Sequence, residues 1–394
     1  MAVHNRIPLA LCLLLPVVAG CTKQPQKPAA PSAPPAPAAP AVDYAGLRVD
    51  ELGNIPVVMY HDVAGKKNDK MFRTPESFRK DLQLLYDKGF VPVNLRDVTA
   101  NKVDVPAGKT PVVLTFDDAR QSQFNLIETS DSYKIDPECA LGILEDFCKT
   151  HDGWKPKATF FVLPKSERTL ETFGQAGLGA QKLAYLIDNG YEIGNHTTHH
   201  RSLGGATPDK IQSELGGAQK AIAAEAPKAE IVSFAAPYGV YPRNKKLWPF
   251  LAKGAYQGTD YNHTAVCLAA WRPNPVPGAK KYDPMRIERI TPEDIRFGLK
   301  YWVDELVSGR MRRYVSDGDP ATVSFPQSRS SDAKTDLLET QGVKVNAYSA
   351  GGGGSKPIVS SSGGDGAAGG AESSTSAKPI AGAVSAPKPI ASGN

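Results

Sequence analysis

Cysteine is scarce in this chain, and an excess of one charge is scarcer still once the two ends are set aside. Five cysteines are spread over 394 residues, and two of them, Cys12 and Cys21, fall within the first 21. The remaining three are too few for a disulfide framework. Cys139 and Cys148 lie on a predicted helix whose apolar face is Ala140, Ile143, Leu144 and Phe147. Nine residues of helical rise separate them by roughly 13 Å, beyond bridging reach, so core thiols are expected. The formal net charge is +5, but residues 1–42 carry three Lys/Arg and no acid, and residues 350–394 carry three Lys against two acids, which leaves +1 between them. A nearly neutral segment lacks the concentrated basic face that phosphate neutralisation needs, which argues against a nucleic-acid partner. Long apolar runs are missing as well. The run at residues 7–18 falls short of the ~20 residues a helix needs to cross a bilayer.

The ends have their own chemistry. Residues 1–21, "MAVHNRIPLALCLLLPVVAGC", place Arg6 ahead of the apolar run and small residues before Cys21, the pattern of an export signal. The "VAGC" ending resembles a bacterial lipobox, where cleavage precedes acylation of the cysteine. Cys21 is therefore the expected lipid anchor, the membrane an expected partner, and the bacterial cell envelope the expected location. Residues 22–43 are rich in Pro and Ala and are expected to act as a semi-rigid tether. Residues 350–394, rich in Gly, Ser, Ala and Pro, are expected to be a disordered tail.

Between these ends short apolar runs alternate with helical periodicity. Strands are expected over residues 55–60, 91–95, 111–116, 157–163, 191–195, 231–237 and 286–290. Thr74 caps and Pro75 opens a helix that buries Phe78, Leu82 and Leu85 and stops at Gly89; Thr207-Pro208 opens another through Ile211, Leu215 and Ile222. A further amphipathic helix is expected over residues 291–308. Near-continuous apolar strands separated by helices mean a parallel sheet covered on its faces. About seven such strands fit an α/β fold, a distorted (β/α) barrel, better than an open sheet.

In such folds chemistry collects where strands end. The strand "VVLTF" ends on Asp117 and Asp118, two adjacent carboxylates that repel unless a cation compensates. "NHTTHH" follows the run "YEIG" and offers His196, His199 and His200. His196 and His200 stand four apart, the spacing at which a helical turn points two imidazoles at one metal, while His199 points elsewhere. Two imidazoles and a carboxylate make a three-ligand site with positions left open for water and substrate. "SFAAPYG" at 233–239 ends a third run in a turn able to aim backbone N–H groups into a pocket.

Together, "TFDD" at 115–118, "HTTHH" at 196–200 and "APYG" at 236–239 resemble the first three motifs of the polysaccharide deacetylases, and "KATFFV" at 157–162 resembles a strand of that family. The resemblance spans roughly residues 54–290, within a domain expected over 44–349 with an extension after about 290. It implies a distorted (β/α) barrel and metal-dependent removal of acetyl groups from N-acetylated sugars. By motif match it makes Asp117 the general base and Asp118, His196 and His200 the ligands of a divalent metal, Zn²⁺ first and Co²⁺ or Ni²⁺ as alternatives. It also makes the Tyr238 backbone N–H an oxyanion donor. Two departures stand out: the family Arg two residues before the motif-three Pro is Ala235 here, and "MRIERI" at 285–290 lacks the family's terminal His. His61, in "PVVMYHDV" at 56–63, is similar instead to the displaced motif of the circularly permuted branch, whose members include exported poly-N-acetylglucosamine deacetylases. His61 would then be the general acid, with His263 the fallback. An acetylated glycan is the implied substrate. An O-acetyl esterase, and a glycan-binding protein with weakened catalysis suggested by Ala235, are the alternatives. The long stretch 119–137 after the diacid is expected to wall the groove.

Overall fold

The computed structural model describes residues 42–165, 171–269 and 271–349. Cys21, the export signal and the 350–394 tail lie outside them, as does the Pro/Ala tract up to residue 41. The frame is a curled, seven-stranded parallel sheet: β1 (Val57–Tyr60), β2 (Phe90–Val93), β3 (Thr110–Asp117), β4 (Thr159–Val162), β5 (Glu192–Asn195), β6 (Ser233–Ala235) and β7 (Ala265–Cys267). The order runs β7-β6-β5-β4-β3-β1, with β2 pairing to the first half of β3. Every residue of β3 is buried, because both faces of the strand are covered. Inside, Phe116 stacks on Tyr60 and Phe160 at centroid distances of 5.5 and 5.0 Å, and Phe78 meets it edge-on. Each such buried ring contributes about 1.5–3 kcal/mol relative to exposure.

The strand expected at 286–290 is not continuous, and the short run Ala265–Cys267 takes the seventh place in the sheet. The expected segment instead closes the barrel. Ile287 bridges in parallel to Cys267 of β7 and Ile290 to Val58 of β1. Backbone bonds seal both joints: Leu268 N–H donates to Ile287 C=O, and Met59 N–H donates to Ile290 C=O, each at 2.8 Å.

The helices α1 (Pro75–Asp87), α2 (Ala140–Thr150), α3 (Gly179–Asp188) and α4 (Pro208–Glu225) cover the sheet. Thr74 caps α1 through Oγ1, which accepts from Ser77 N–H at 3.1 Å, and Thr207 caps α4 likewise. Cys139 caps α2, and Cys139, Cys148 and Cys267 are free thiols. The helix expected over 291–308 begins late, as α5 (Leu299–Val307). Phe297 takes a left-handed conformation (φ 71°) that no helix accommodates, so residues 291–298 form a loop over the strand ends. Beyond the barrel, β8 (Thr322–Pro326) pairs in parallel with β9 (Lys344–Tyr348) over a small core of Leu52, Ala279, Val323, Phe325 and Leu338.

Candidate active site

At the carboxyl ends of the strands lies an open groove of about 2100 Å³, lined among others by His61, Asp117, Asp118, His196, His200 and Tyr238. That is larger than a typical small-ligand pocket of ~300–1,000 Å³ and suits a chain of linked units. The sequence-predicted residues thus share one cavity.

The adjacent acids do not face each other's charge alone. The strand ends because Asp118 and Ala119 both adopt left-handed backbone, at φ 79° and 49°. Such conformations cost of order 1–3 kcal/mol each in L-residues, so the fold holds this turn against its local preference. Asp117, fully enclosed, points inward to Arg289, whose guanidinium donates from Nη1 to Oδ1 at 2.6 Å and from Nη2 to Oδ2 at 2.8 Å. Burial alone would raise the Asp117 carboxyl, but the Arg289 and His196 charges outweigh it and leave it below the usual carboxylate range. Asp118 turns the other way. Its Oδ1 lies 3.3 Å from Nε2 of His196 and 3.3 Å from Nε2 of His200. Burial opposes its charge, but those imidazoles hold its carboxyl far down.

The histidine segment is not the helical turn its spacing suggested. Thr197 and His200 have φ values of 68° and 53°, and the loop is pinned by side chains rather than by helical bonds. Asn195 Oδ1 accepts from Thr197 N–H at 2.8 Å, Thr197 Oγ1 accepts from His200 N–H at 2.9 Å, and the buried Glu214 of α4 accepts from His199 N–H at 2.9 Å. The result brings the His196 and His200 rings to 4.9 Å. The Ala235 carbonyl can only accept, so His196 donates to it from Nδ1 at 2.8 Å and its Nε2 lone pair faces Asp118. Burial pulls the His196 pKa down, yet Asp117 and Asp118 together raise it overall.

Ligand atoms of Asp118, His196 and His200 all lie within 4.8 Å of one another. His196 Nε2 and Asp118 Oδ1 are buried with no hydrogen-bond partner, a costly arrangement that a cation would relieve. A His₂–carboxylate set with open positions fits a catalytic divalent metal.

His61 also reaches the groove. Its Nε2 lies 3.9 Å from Asp117 Oδ2, and burial lowers its pKa against the pull of Asp117 and Asp118. Tyr238 (φ 58°) occupies the turn after β6, its exposed ring edge-on to His200 at 4.7 Å. His263 is excluded as a substitute acid: it sits between Phe234 and Tyr261, bonds to Leu251 C=O at 2.8 Å, and burial pushes its pKa down to about 4. Of the stretch 119–137, only Ala119, Arg120, Gln121 and Ser122 line the groove. Its outer part folds into a hairpin of Leu126–Glu128 with Tyr133–Ile135.

Arg289 is the residue the sequence reading missed. Ala235 leaves the motif-three arginine position empty, and the guanidinium arrives from the barrel-closing segment instead. The available signal was Arg289 two residues after Ile287 in "RIERI", on the same face of an extended segment as an apolar residue, a position that buries a charge needing a partner.

The polysaccharide deacetylase family profile matches residues 104–248. YxkH of Bacillus subtilis (strain 168), provisionally designated a polysaccharide deacetylase, is 23% identical over 177 residues, 45% of this chain and 54% of its own. This chain therefore spans about half the length of that curated relative. Among solved structures, the Streptococcus pyogenes deacetylase PplD in complex with acetate superposes with a TM-score of 0.47 at 20% identity, over 63% of this chain and 96% of that one. IcaB from Ammonifex degensii gives 0.46 at 18% identity, over 64% and 97%. The family match covers all three motifs that converge on the groove, and the chain accordingly carries a polysaccharide deacetylase domain.

Proposed function

We propose that this groove hydrolyses acetyl groups from an N-acetylated cell-envelope or extracellular polysaccharide with the help of a divalent metal. The observation that carries the reading is the convergence of Asp118, His196 and His200 within 4.8 Å, beside the buried Asp117–Arg289 pair and His61. Asp118 Oδ1 and the two imidazoles would hold the ion, Zn²⁺ by donor type, with Co²⁺ or Ni²⁺ also compatible. When bound, such an ion supplies Lewis acidity, acidifying water and polarising a carbonyl.

The chain's own groups do the rest. Asp117, kept ionised and oriented by the Arg289 fork, accepts a proton from the water that attacks the acetyl carbon. The Tyr238 backbone N–H donates to the oxygen on which charge develops. His61 then gives a proton to the departing nitrogen as the C–N bond breaks, leaving acetate and a free amine. An amine needs that proton more than an alkoxide does, so His61 at 3.9 Å from Asp117 favours N- over O-deacetylation. The Arg289–Asp117 fork likewise argues against a glycan-binding protein with decayed catalysis.

Lipidation at Cys21 and an envelope location complete the proposal on the sequence pattern alone. Labelled palmitate should enter the protein and disappear in Cys21→Ala; unchanged labelling would end that part. For the activity, purified protein offered N-acetylated and O-acetylated oligosaccharides in parallel should release acetate mainly from the former. Release from the O-acetylated set alone would favour the esterase.

A further inference from the structure

We infer that Arg120 is a positioning residue that confines Asp118 to one metal-facing oxygen and ties that ligand to the strand end bearing His61. The inference rests on the metal-site reading above. Arg120 donates from both Nε, at 3.1 Å, and Nη2, at 2.9 Å, to a single acceptor, Asp118 Oδ2. The other oxygen, Oδ1, is the one 3.3 Å from both imidazoles, and it is buried without a hydrogen-bond partner. The two halves of the carboxylate are thus divided between a guanidinium and the ligand cluster.

The same guanidinium reaches a second acid. Arg120 Nε lies 3.4 Å from Asp62 Oδ2, and Asp62 Oδ1 accepts from Ser122 Oγ at 2.7 Å. Asp62 follows His61 directly, and Gln123 Nε2 donates to His61 C=O at 2.8 Å. Arg120, Ser122 and Gln123 therefore fasten the end of β1 to the turn after β3. Because Asp118 and Ala119 hold left-handed backbone there, an external brace has work to do at this turn.

A cation beside a metal ligand repels the metal, so charge alone would not favour arginine here. Its geometry supplies what a lone charge cannot: two N–H groups converging on Oδ2 occupy that oxygen and hold it away from the ligand cluster. Asp118 would then offer a bound ion one oxygen only, which would leave that ion a further position for water or substrate.

The test uses the full-length protein stripped of metal and loaded with Co²⁺, whose visible absorption weakens as its coordination number rises. Wild type should bind one ion and give the more intense spectrum. Arg120→Gln should still fold and bind Co²⁺, with at most a modest drop in melting temperature from the lost brace, yet show a weaker spectrum as Oδ2 joins the ion. Arg120→Lys, whose single ammonium nitrogen cannot reproduce the paired Nε and Nη2 contacts, should fall between, and Asp62→Asn should shift the spectrum the same way by less. Identical spectra in wild type and Arg120→Gln, with Co²⁺ bound in both, would overturn the role of Arg120 while leaving the metal site intact. Failure of wild type to bind Co²⁺ would overturn both.

Discussion

Asp117 depends on Arg289 more than on any residue near it in sequence. A carboxylate enclosed on all sides is tolerable only when paired, and removing one partner of a buried ion pair typically costs about 3–5 kcal/mol. Arg289→Ala is therefore expected to lower stability by that order in a denaturant titration and to cut acetate release at least ~10²-fold, because the base is both misplaced and neutralised more easily. His61→Ala should keep its fold and lose roughly 10²- to 10⁴-fold on an N-acetylated substrate. On an activated aryl acetate, whose leaving group needs no proton, the same variant should lose far less, whereas Asp117→Asn should fail on both. Near wild-type deacetylation by His61→Ala would remove it as the acid. The acids and histidines were legible because each ends a recognisable apolar run. Arg289 was not, since its partner stands 172 residues away and nothing local marks the pair. The absence at Ala235 was visible; its replacement was a matter of tertiary closure.

At the scale of elements, strands and capped helices were readable wherever a local rule is strong. Thr74-Pro75 and Thr207-Pro208 start their helices where capping chemistry puts them, and Thr74→Ala should cost about 1 kcal/mol in unfolding free energy without touching activity. Several elements escaped, the β8–β9 pair and the 126–135 hairpin among them, and three others show why. Ala265–Cys267 is too short to declare itself as a strand, yet it fills the edge of the sheet beside β6. Residues 291–298 share the apolar periodicity of α5 but are held as a loop by left-handed Phe297 and by Asp294, which pairs with the buried Arg73 at 3.0 Å. The histidine segment has helical spacing without helical backbone, because Asn195, Thr197 and Glu214 take its amide hydrogens. Spacing foretold which rings would meet, and side-chain hydrogen bonds decided how.

For the whole molecule, the extension beyond the barrel is joined to it through a buried acid. Glu51 accepts from Tyr314 Oη at 2.9 Å and Ser324 N–H at 2.7 Å, and burial beside Asp317 pushes its carboxyl up to about 8. In the unfolded chain that group titrates near ~4.3. Between these values the folded state holds the extra proton, so the stability Glu51 contributes is full at the acid end and is lost as pH rises through about 8. Melting temperatures taken from pH 5 to 9 should fall for wild type and fall less for Glu51→Gln; parallel curves would contradict it. Activity is expected to respond to something else altogether, the ion that Asp118, His196 and His200 are proposed to hold. The most direct measurement is acetate release from N-acetylglucosamine oligomers by protein stripped with chelator and then given Zn²⁺. Stripping should abolish release, one equivalent of Zn²⁺ should restore it, and His196→Ala should stay inactive after the same addition. Undiminished release from stripped protein that elemental analysis shows to be metal-free would contradict a metal-dependent deacetylase.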